Sequence, residues 1–82
     1  MTDTQALIGK PWILRRTGEV IHRQGGHVIG RVTQSGGMFG GWHGEEISFG
    51  RVGLFGSRQV AAREVWNRYA KRTGEHTWAG AA

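Results

Sequence analysis

The chain has 82 residues, of which eleven are Lys or Arg and six are Asp or Glu, so its formal net charge is +5. This length predicts one domain over residues 1–82, with a small core. The absence of cysteine excludes disulfides and thiolate metal sites, so the eight aromatic rings must supply much of the core. No apolar run approaches a membrane span and no signal-peptide pattern is present, which predicts a cytoplasmic protein without a membrane partner.

The first half of the chain is predicted to form three strands separated by short turns. In the first of them, Trp12 and Leu14 share one face, whereas Ile13 and Arg15 share the other. In the third, strict alternation groups Ile29 with Arg31 and Thr33. The three strands are predicted at residues 10–16, 19–23 and 27–34.

The second half is predicted to contain a glycine-rich loop, the last part of the sheet and a helix. Four of the fifteen glycines fall within residues 35–41. Extended segments follow at 42–49 and 52–55, with a turn or bulge between them. Ser57 is the predicted N-cap of a helix over about 58–72. Gly74 supplies the expected stop of the helix, and the C-terminal tail, 75–82, is predicted to be flexible, as is 1–9.

One stripe of the predicted helix is apolar at helical spacing. Its two alanines have almost no side chain, so the helix can lie very close to a sheet. The stripe consists of Ala61, Ala62, Val65, Trp66 and Tyr69. We therefore predict an α+β fold of the ββββα type, in which a small antiparallel sheet of three to four strands carries one C-terminal helix on one face.

Two segments around the end of the sheet resemble a known family. They are Trp42-His43-Gly44-Glu45, and the run from Val52-Gly53-Leu54-Phe55-Gly56-Ser57 to Ala61-Ala62-Arg63. Together they are similar to the AP2-like, integrase-arm type of DNA-binding domain, which occurs in plant transcription factors, mobile-element integrases and homing nucleases. The resemblance covers about residues 30–69 and implies a sheet whose strands lie in the major groove of DNA.

The resemblance also implies which side chains meet DNA. In that family, Arg and Trp on the exposed sheet face touch bases and phosphates. Transferred to this chain, Arg31 and Trp42 fall on the contacting strands, and Arg51 lies just before the last one. The chain departs from the family in its adjacent Glu45 and Glu46, because a carboxylate repels phosphate.

Positive charge is concentrated in two parts of the chain. Residues 11–35 and 57–82 each carry a net charge of +3, whereas residues 36–56 carry −1. If Arg15 and Arg31 gather on one sheet face with Arg23 at its rim, they form an electrostatic footprint for a few phosphate contacts. The alternative is that both groups are ordinary solvated faces.

The loop Gly36-Gly37-Met38-Phe39-Gly40-Gly41 has an apolar tip between two pairs of glycines. Such a tip can insert between bases or enter a groove on a protein. The alternative is a hairpin loop in which Phe39 folds back on the core.

No catalytic or metal site is predicted. None of the four histidines has the i,i+4 helical spacing of zinc sites, and no cysteine assists them. Adjacent Glu45 and Glu46 point to opposite faces of a strand, so they cannot act together on one substrate, and one of them is expected to pair with an Arg. We therefore expect no enzymatic activity and no cofactor.

Two functions remain open. The first is a non-enzymatic accessory or regulatory module, of phage or mobile-element type, that binds nucleic acid, in particular duplex DNA, through a sheet face. The second is a phage-encoded inhibitor of host defence, similar in size to anti-CRISPR proteins, that blocks a host nuclease complex. Either a monomer or a homodimer fits the sequence. The predicted contact residues are Arg15, Arg23, Arg31, Phe39, Trp42 and Arg51.

Overall fold

The structure is a computed structural model that describes residues 9–82. Five strands form one antiparallel sheet in the order β1-β2-β3-β4-β5, and a single helix follows them. The α+β prediction is confirmed, but the sheet has five strands rather than three to four because the first and the last strand both pair with their neighbours. The elements are β1 Trp12–Leu14, β2 Glu19–His22, β3 Val28–Gln34, β4 Trp42–Glu46, β5 Gly50–Phe55 and α1 Arg58–Thr73.

Helix α1 begins at the predicted residue, ends one residue later than predicted, and has both predicted flanking residues, Ser57 and Gly74, in place. The Ser57 side chain accepts a hydrogen bond from the Val60 amide at 3.1 Å, which satisfies one of the free N–H groups of the first turn. Gly74 ends the helix in the left-handed conformation, with φ 81°. The last turn carries Lys71 and Arg72, whose positive charges are favourable beside the helix C-terminus.

The helix lies very close to the middle of the sheet. Ala61 and Ala62 are fully buried, in agreement with the predicted apolar stripe. A β-carbon added to Gly44 of β4 would lie 3.2 Å from the carbonyl oxygen of Ala61 and 3.0 Å from Val65 Cγ2. Alanine on the helix and glycine on the strands therefore set the distance between the two layers.

Aromatic rings fill the core beside β1 and β2, away from the glycines of β3 and β4 that the helix approaches closely. The ring of Trp12 stacks on that of Trp66 with 6.4 Å between centroids. The Trp78 ring meets Trp12 edge-on at 6.1 Å. Both geometries are favourable for aromatic pairs.

Two bulges interrupt the alternation of the sheet. Between β2 and β3, Val20 pairs with Gly30 and Ile21 with Val28, so Ile29 is an extra residue. Ile29 is fully buried in the core cluster although Arg31 and Thr33, with which strict alternation groups it, are exposed. A second bulge leaves Val52 unpaired between β4 and β5.

The C-terminal tail, 75–82, packs along α1 through several hydrogen bonds. The Trp78 amide donates to Asn67 Oδ1 at 2.6 Å, and Asn67 Nδ2 donates to the Trp78 carbonyl at 3.1 Å. Trp66 Nε1 donates to the His76 carbonyl at 3.0 Å. Most of the predicted N-terminal flexible segment, 1–8, lies outside the described residues.

Replacing Asn67 with Ala is expected to release this tail. The change removes both Asn67–Trp78 hydrogen bonds and leaves the backbone groups of Trp78 without their partner. Each such bond contributes about 1 kcal/mol. Amide hydrogen exchange should therefore become faster over 76–80 and stay unchanged in β3. Unchanged protection of the tail would show that its other contacts, such as the Trp66–His76 hydrogen bond and the packing of Trp78, hold it without Asn67.

Candidate functional site

The sheet has one face covered by α1 and one face turned away from it, which we call the open face. Gly30 is on the covered side, because a β-carbon there would lie 2.5 Å from Val65 Cγ1 of the helix. Side chains alternate along a strand, so the neighbouring Arg31 points to the open face. Within residues 9–82, α1 is the only helix, and it packs on the other side.

Four charged residues form a row straight across the open face, which we call the charged row. Glu19 of β2 lies opposite Arg31 of β3, Arg31 lies opposite Glu45 of β4, and Glu45 lies opposite Arg51 of β5. Acid and base alternate, so every neighbouring pair in the row is favourable. The row as a whole is electrically neutral.

Hydrogen bonding and charge keep the Glu19 end of the charged row ionised. The hydroxyl of Thr17 donates to the Glu19 carboxylate, and this bond is the main cause that lowers the pKa of Glu19. The positive charges of Arg31 and Arg15 lower that pKa further. Arg31 Nη2 is 3.6 Å from Glu19 Oε2, and half of the Arg31 side chain is exposed. Its guanidinium therefore keeps N–H donors that can reach a ligand.

The charged row is flanked by two rows of different chemistry. On one side, Ile13, Ile21 and Val28 lie opposite one another across β1, β2 and β3. On the other side, Thr33 and His43 lie opposite each other, and His43 faces Leu54 of β5. The Nδ1 atom of His43 is buried and has no hydrogen-bond partner among the described residues. The open face is thus apolar at one end and polar at the other.

The structure brings three of the predicted contact residues together. Arg31 and Arg51 are both members of the charged row, separated by Glu45. Arg15 is exposed next to the row, where its amide donates to the Glu19 carbonyl at 2.9 Å. These three arginines lie on or beside the open face.

Trp42 lies on the covered side of the sheet. It alternates with Gly44 and Glu46, both of which meet α1, and its ring packs against the core. The Arg58 guanidinium of the helix is 6.0 Å from the centre of that ring. The side chain of Trp42 therefore points away from the charged row, since every second residue of a strand shares one face.

The two remaining predicted residues also lie away from the charged row. Arg23 follows β2, where its Nε donates to the carbonyl of Lys10 at 2.6 Å. Phe39 is at the tip of the loop between β3 and β4 and is 96% exposed, so it does not fold back on the core.

A cleft of about 660 Å³ lies beside the tail, and His22, one of the two histidines that line it, has a structural role. His22 Nδ1 accepts a hydrogen bond from the Gly25 amide at 3.0 Å, so its proton is on Nε2. That nitrogen lies 3.0 Å from Glu75 Oε1 and donates to it. Both ring nitrogens of His22 are thus used within the fold. In the described part of the chain, no three His, Cys, Asp or Glu side chains are grouped as metal ligands.

Glu19 belongs to the charged row but is not among the contact residues predicted from the sequence. The turn at Thr17-Gly18 indicates a hairpin but does not determine how β2 pairs with β3, where a bulge changes the register. Only that register places Glu19 opposite Arg31.

Comparison with protein-family models, with curated proteins and with solved structures finds no match to this chain. From residue 9 onward, no helix is both long and apolar enough to cross a bilayer.

Proposed function

We propose that this protein binds duplex nucleic acid through the open face of its sheet and that it acts as a non-enzymatic accessory or regulatory module. The observation that carries this proposal is the charged row, because it presents Arg31 and Arg51 on the face that α1 leaves free. The resemblance of residues 30–69 to AP2-like domains supports the same use of the sheet.

The dimensions of the sheet suit the major groove of duplex DNA. Neighbouring strands are about 4.8 Å apart, so three of them span about 10 Å. The major groove is about 12 Å wide and admits extended segments as well as helices. The part of the open face that consists of β3, β4 and β5 therefore has the width of one groove.

The chemistry of the charged row suits base edges better than phosphates. An Arg fork pairs with O6 and N7 of guanine, and a carboxylate accepts from the amino group of cytosine. Arg31 next to Glu45 offers both functions on adjacent strands. Because the row is neutral, attraction to phosphate must come from cations outside it, such as Arg15 and Arg16.

Replacing Arg31 with Ala is expected to weaken binding to duplex DNA by about 1–3 kcal/mol, roughly five- to 150-fold in the dissociation constant. Lys71→Ala is the matched control, because it removes the same charge from an exposed position of α1 on the covered side. Affinity for random and G·C-rich duplexes should be measured across a salt series. An equal loss in both variants would mean that only overall charge matters.

A second function is favoured by the apolar residues that stand exposed beside the polar end of the open face. Met38 and Phe39 are 91% and 96% exposed, and Leu54 is 57% exposed. Such residues occur at protein interfaces, where aromatic side chains and Met are enriched. In this alternative, the protein occupies the nucleic-acid site of a host nuclease complex. A stoichiometric complex with such a protein, without any affinity of the free chain for DNA at low salt, would favour it.

A further inference from the structure

We infer that the loop between β3 and β4 inserts the ring of Phe39 between neighbouring bases of the bound duplex. This inference rests on the proposed function and extends it, because it adds a wedge to a surface that otherwise only lies against the groove. The apolar side chains at the loop tip have the exposure that such a role needs.

The loop presents its tip in a preformed turn. The Gly40 amide donates to the Gly37 carbonyl at 3.1 Å, which makes Met38 and Phe39 the two central residues of a four-residue turn. The Ser35 amide donates to the Gly41 carbonyl at 2.8 Å and closes the base of the loop. Little backbone freedom is therefore lost when the tip meets a ligand.

The loop is also narrow enough to approach a sugar–phosphate backbone. A β-carbon built at Gly36 or Gly40 would meet nothing within 4 Å, so each glycine leaves open space on the loop surface. No residue from Ser35 to Gly41 is charged, and phosphates are therefore not repelled. A phenyl ring offers a flat apolar face that can replace base stacking.

The position of the loop relative to the charged row fits one continuous footprint. The loop joins β3 and β4, which carry Arg31 and Glu45. Gln34 lies three residue steps of extended chain beyond Arg31, a length of about 10 Å. A duplex held by the charged row therefore continues past the base of the loop.

The test uses duplexes that carry 2-aminopurine, whose fluorescence rises when its stacking is lost, at successive positions. The original protein is expected to raise the fluorescence at one position. Phe39→Ala should bind roughly five- to hundredfold more weakly and abolish the rise. Phe39→Tyr, which keeps the ring, should retain it. Thermal melting should be unchanged in both variants because Phe39 is almost completely exposed.

Ile47→Ala is the control, since Ile47 is another exposed apolar residue, 63% accessible, in the connection between β4 and β5. It should keep the fluorescence rise. Equal affinity and equal fluorescence for the original protein and Phe39→Ala would contradict the insertion of Phe39 between bases. Binding through the open face would stay intact in that case, and a binding pocket for Phe39 on a protein partner would be favoured. If the original protein binds no duplex, the proposed function and the wedge both fail.

Discussion

Replacing Gly30 with Ala is expected to lower the free energy of unfolding by about 3 kcal/mol or more. A β-carbon at this position would lie 2.2 Å from the carbonyl oxygen of Glu45 and 2.5 Å from Val65 Cγ1. Neither neighbour can yield easily, because the first belongs to the backbone of β4 and the second to a fully buried side chain of α1. The helix must then move away from the sheet, or β3 from β4.

This prediction is checked by urea denaturation against a matched glycine. Gly36→Ala is the control, because its added carbon meets nothing within 4 Å and its backbone is outside the left-handed region. It should leave the free energy of unfolding nearly unchanged. A domain of this size has a small free energy of unfolding, at the lower end about 5 kcal/mol, so a loss of this size is readily measured. If the two variants unfold at the same urea concentration, close contact between α1 and β3 does not limit the stability.

The sequence predicts the helix and its contact with the sheet well because the signals are local. Ser57 and Gly74 end the helix through interactions with their own neighbouring turns. The spacing of Ala61 and Ala62 on the apolar stripe depends only on the helical period. A small residue can approach a sheet closely wherever that stripe is buried. The buried face of α1 therefore follows from the sequence without knowledge of its partners.

The composition of the open face is less predictable because it depends on register. Alternation alone groups Ile29 with Arg31, yet the bulge opposite β2 buries Ile29 in the core. The bulge also determines that Glu19 lies opposite Arg31. Nothing in the residue types of β2 or β3 indicates where the extra residue enters. The free-energy cost of a bulge depends on how the neighbouring strand packs, which the sequence does not display.

The positions of the tryptophans depend on contacts between distant parts of the chain. Trp42 belongs to a strand whose alternation is regular, but which of its faces is covered depends on where α1 packs. Trp78 is held by Asn67, a polar residue of α1 whose role is not visible in any periodic pattern. Several contacts, including the two hydrogen bonds with the Asn67 side chain and the one from Trp66 to His76, place the tail, and no periodic pattern in the sequence indicates them.

The adjacent pair Glu45 and Glu46 shows what alternation can predict. The two side chains were predicted to point to opposite faces, with one of them paired to an Arg. Glu45 is exposed in the charged row, whereas the Glu46 side chain is fully buried against α1 and pairs with Arg72, whose Nη2 is 2.7 Å from Glu46 Oε2. The amides of Ser48 and Phe49 donate to the other carboxylate oxygen at 3.1 and 2.7 Å. One buried acid therefore joins the β4–β5 turn to the last turn of the helix.

Replacing Arg72 with Ala is expected to destabilise the protein by about 1.5–3 kcal/mol, because the buried carboxylate of Glu46 would keep only its two amide hydrogen bonds. The Arg72 side chain is 41% exposed, so water screens the pair in part and the loss is smaller than for a fully buried ion pair. A double-mutant cycle that combines Glu46→Gln with Arg72→Ala separates the energy of the ion pair from that of the two amide hydrogen bonds. The double variant should be more stable than Arg72→Ala alone, since the uncompensated charge is gone. Lys71→Ala is the control, because this neighbouring cation of the same turn is exposed. Equal unfolding free energies for Arg72→Ala and Lys71→Ala would contradict the proposed role of the ion pair.

The same carboxylate is expected to make the stability depend on acid pH. Burial is the largest single effect on the pKa of Glu46 and raises it, but the hydrogen bonds from Arg72, Phe49 and Ser48 and the charge of Arg72 together lower it below 4.5. A lowered pKa in the folded state means that ionised Glu46 stabilises the fold above about pH 4.5 and that this contribution is lost as the pH falls through the folded value. Urea unfolding at pH 6 and pH 3 should show a smaller loss of stability in Glu46→Gln than in the original protein. An equal loss would assign the acid sensitivity to other carboxylates, of which Glu19 also has a lowered pKa.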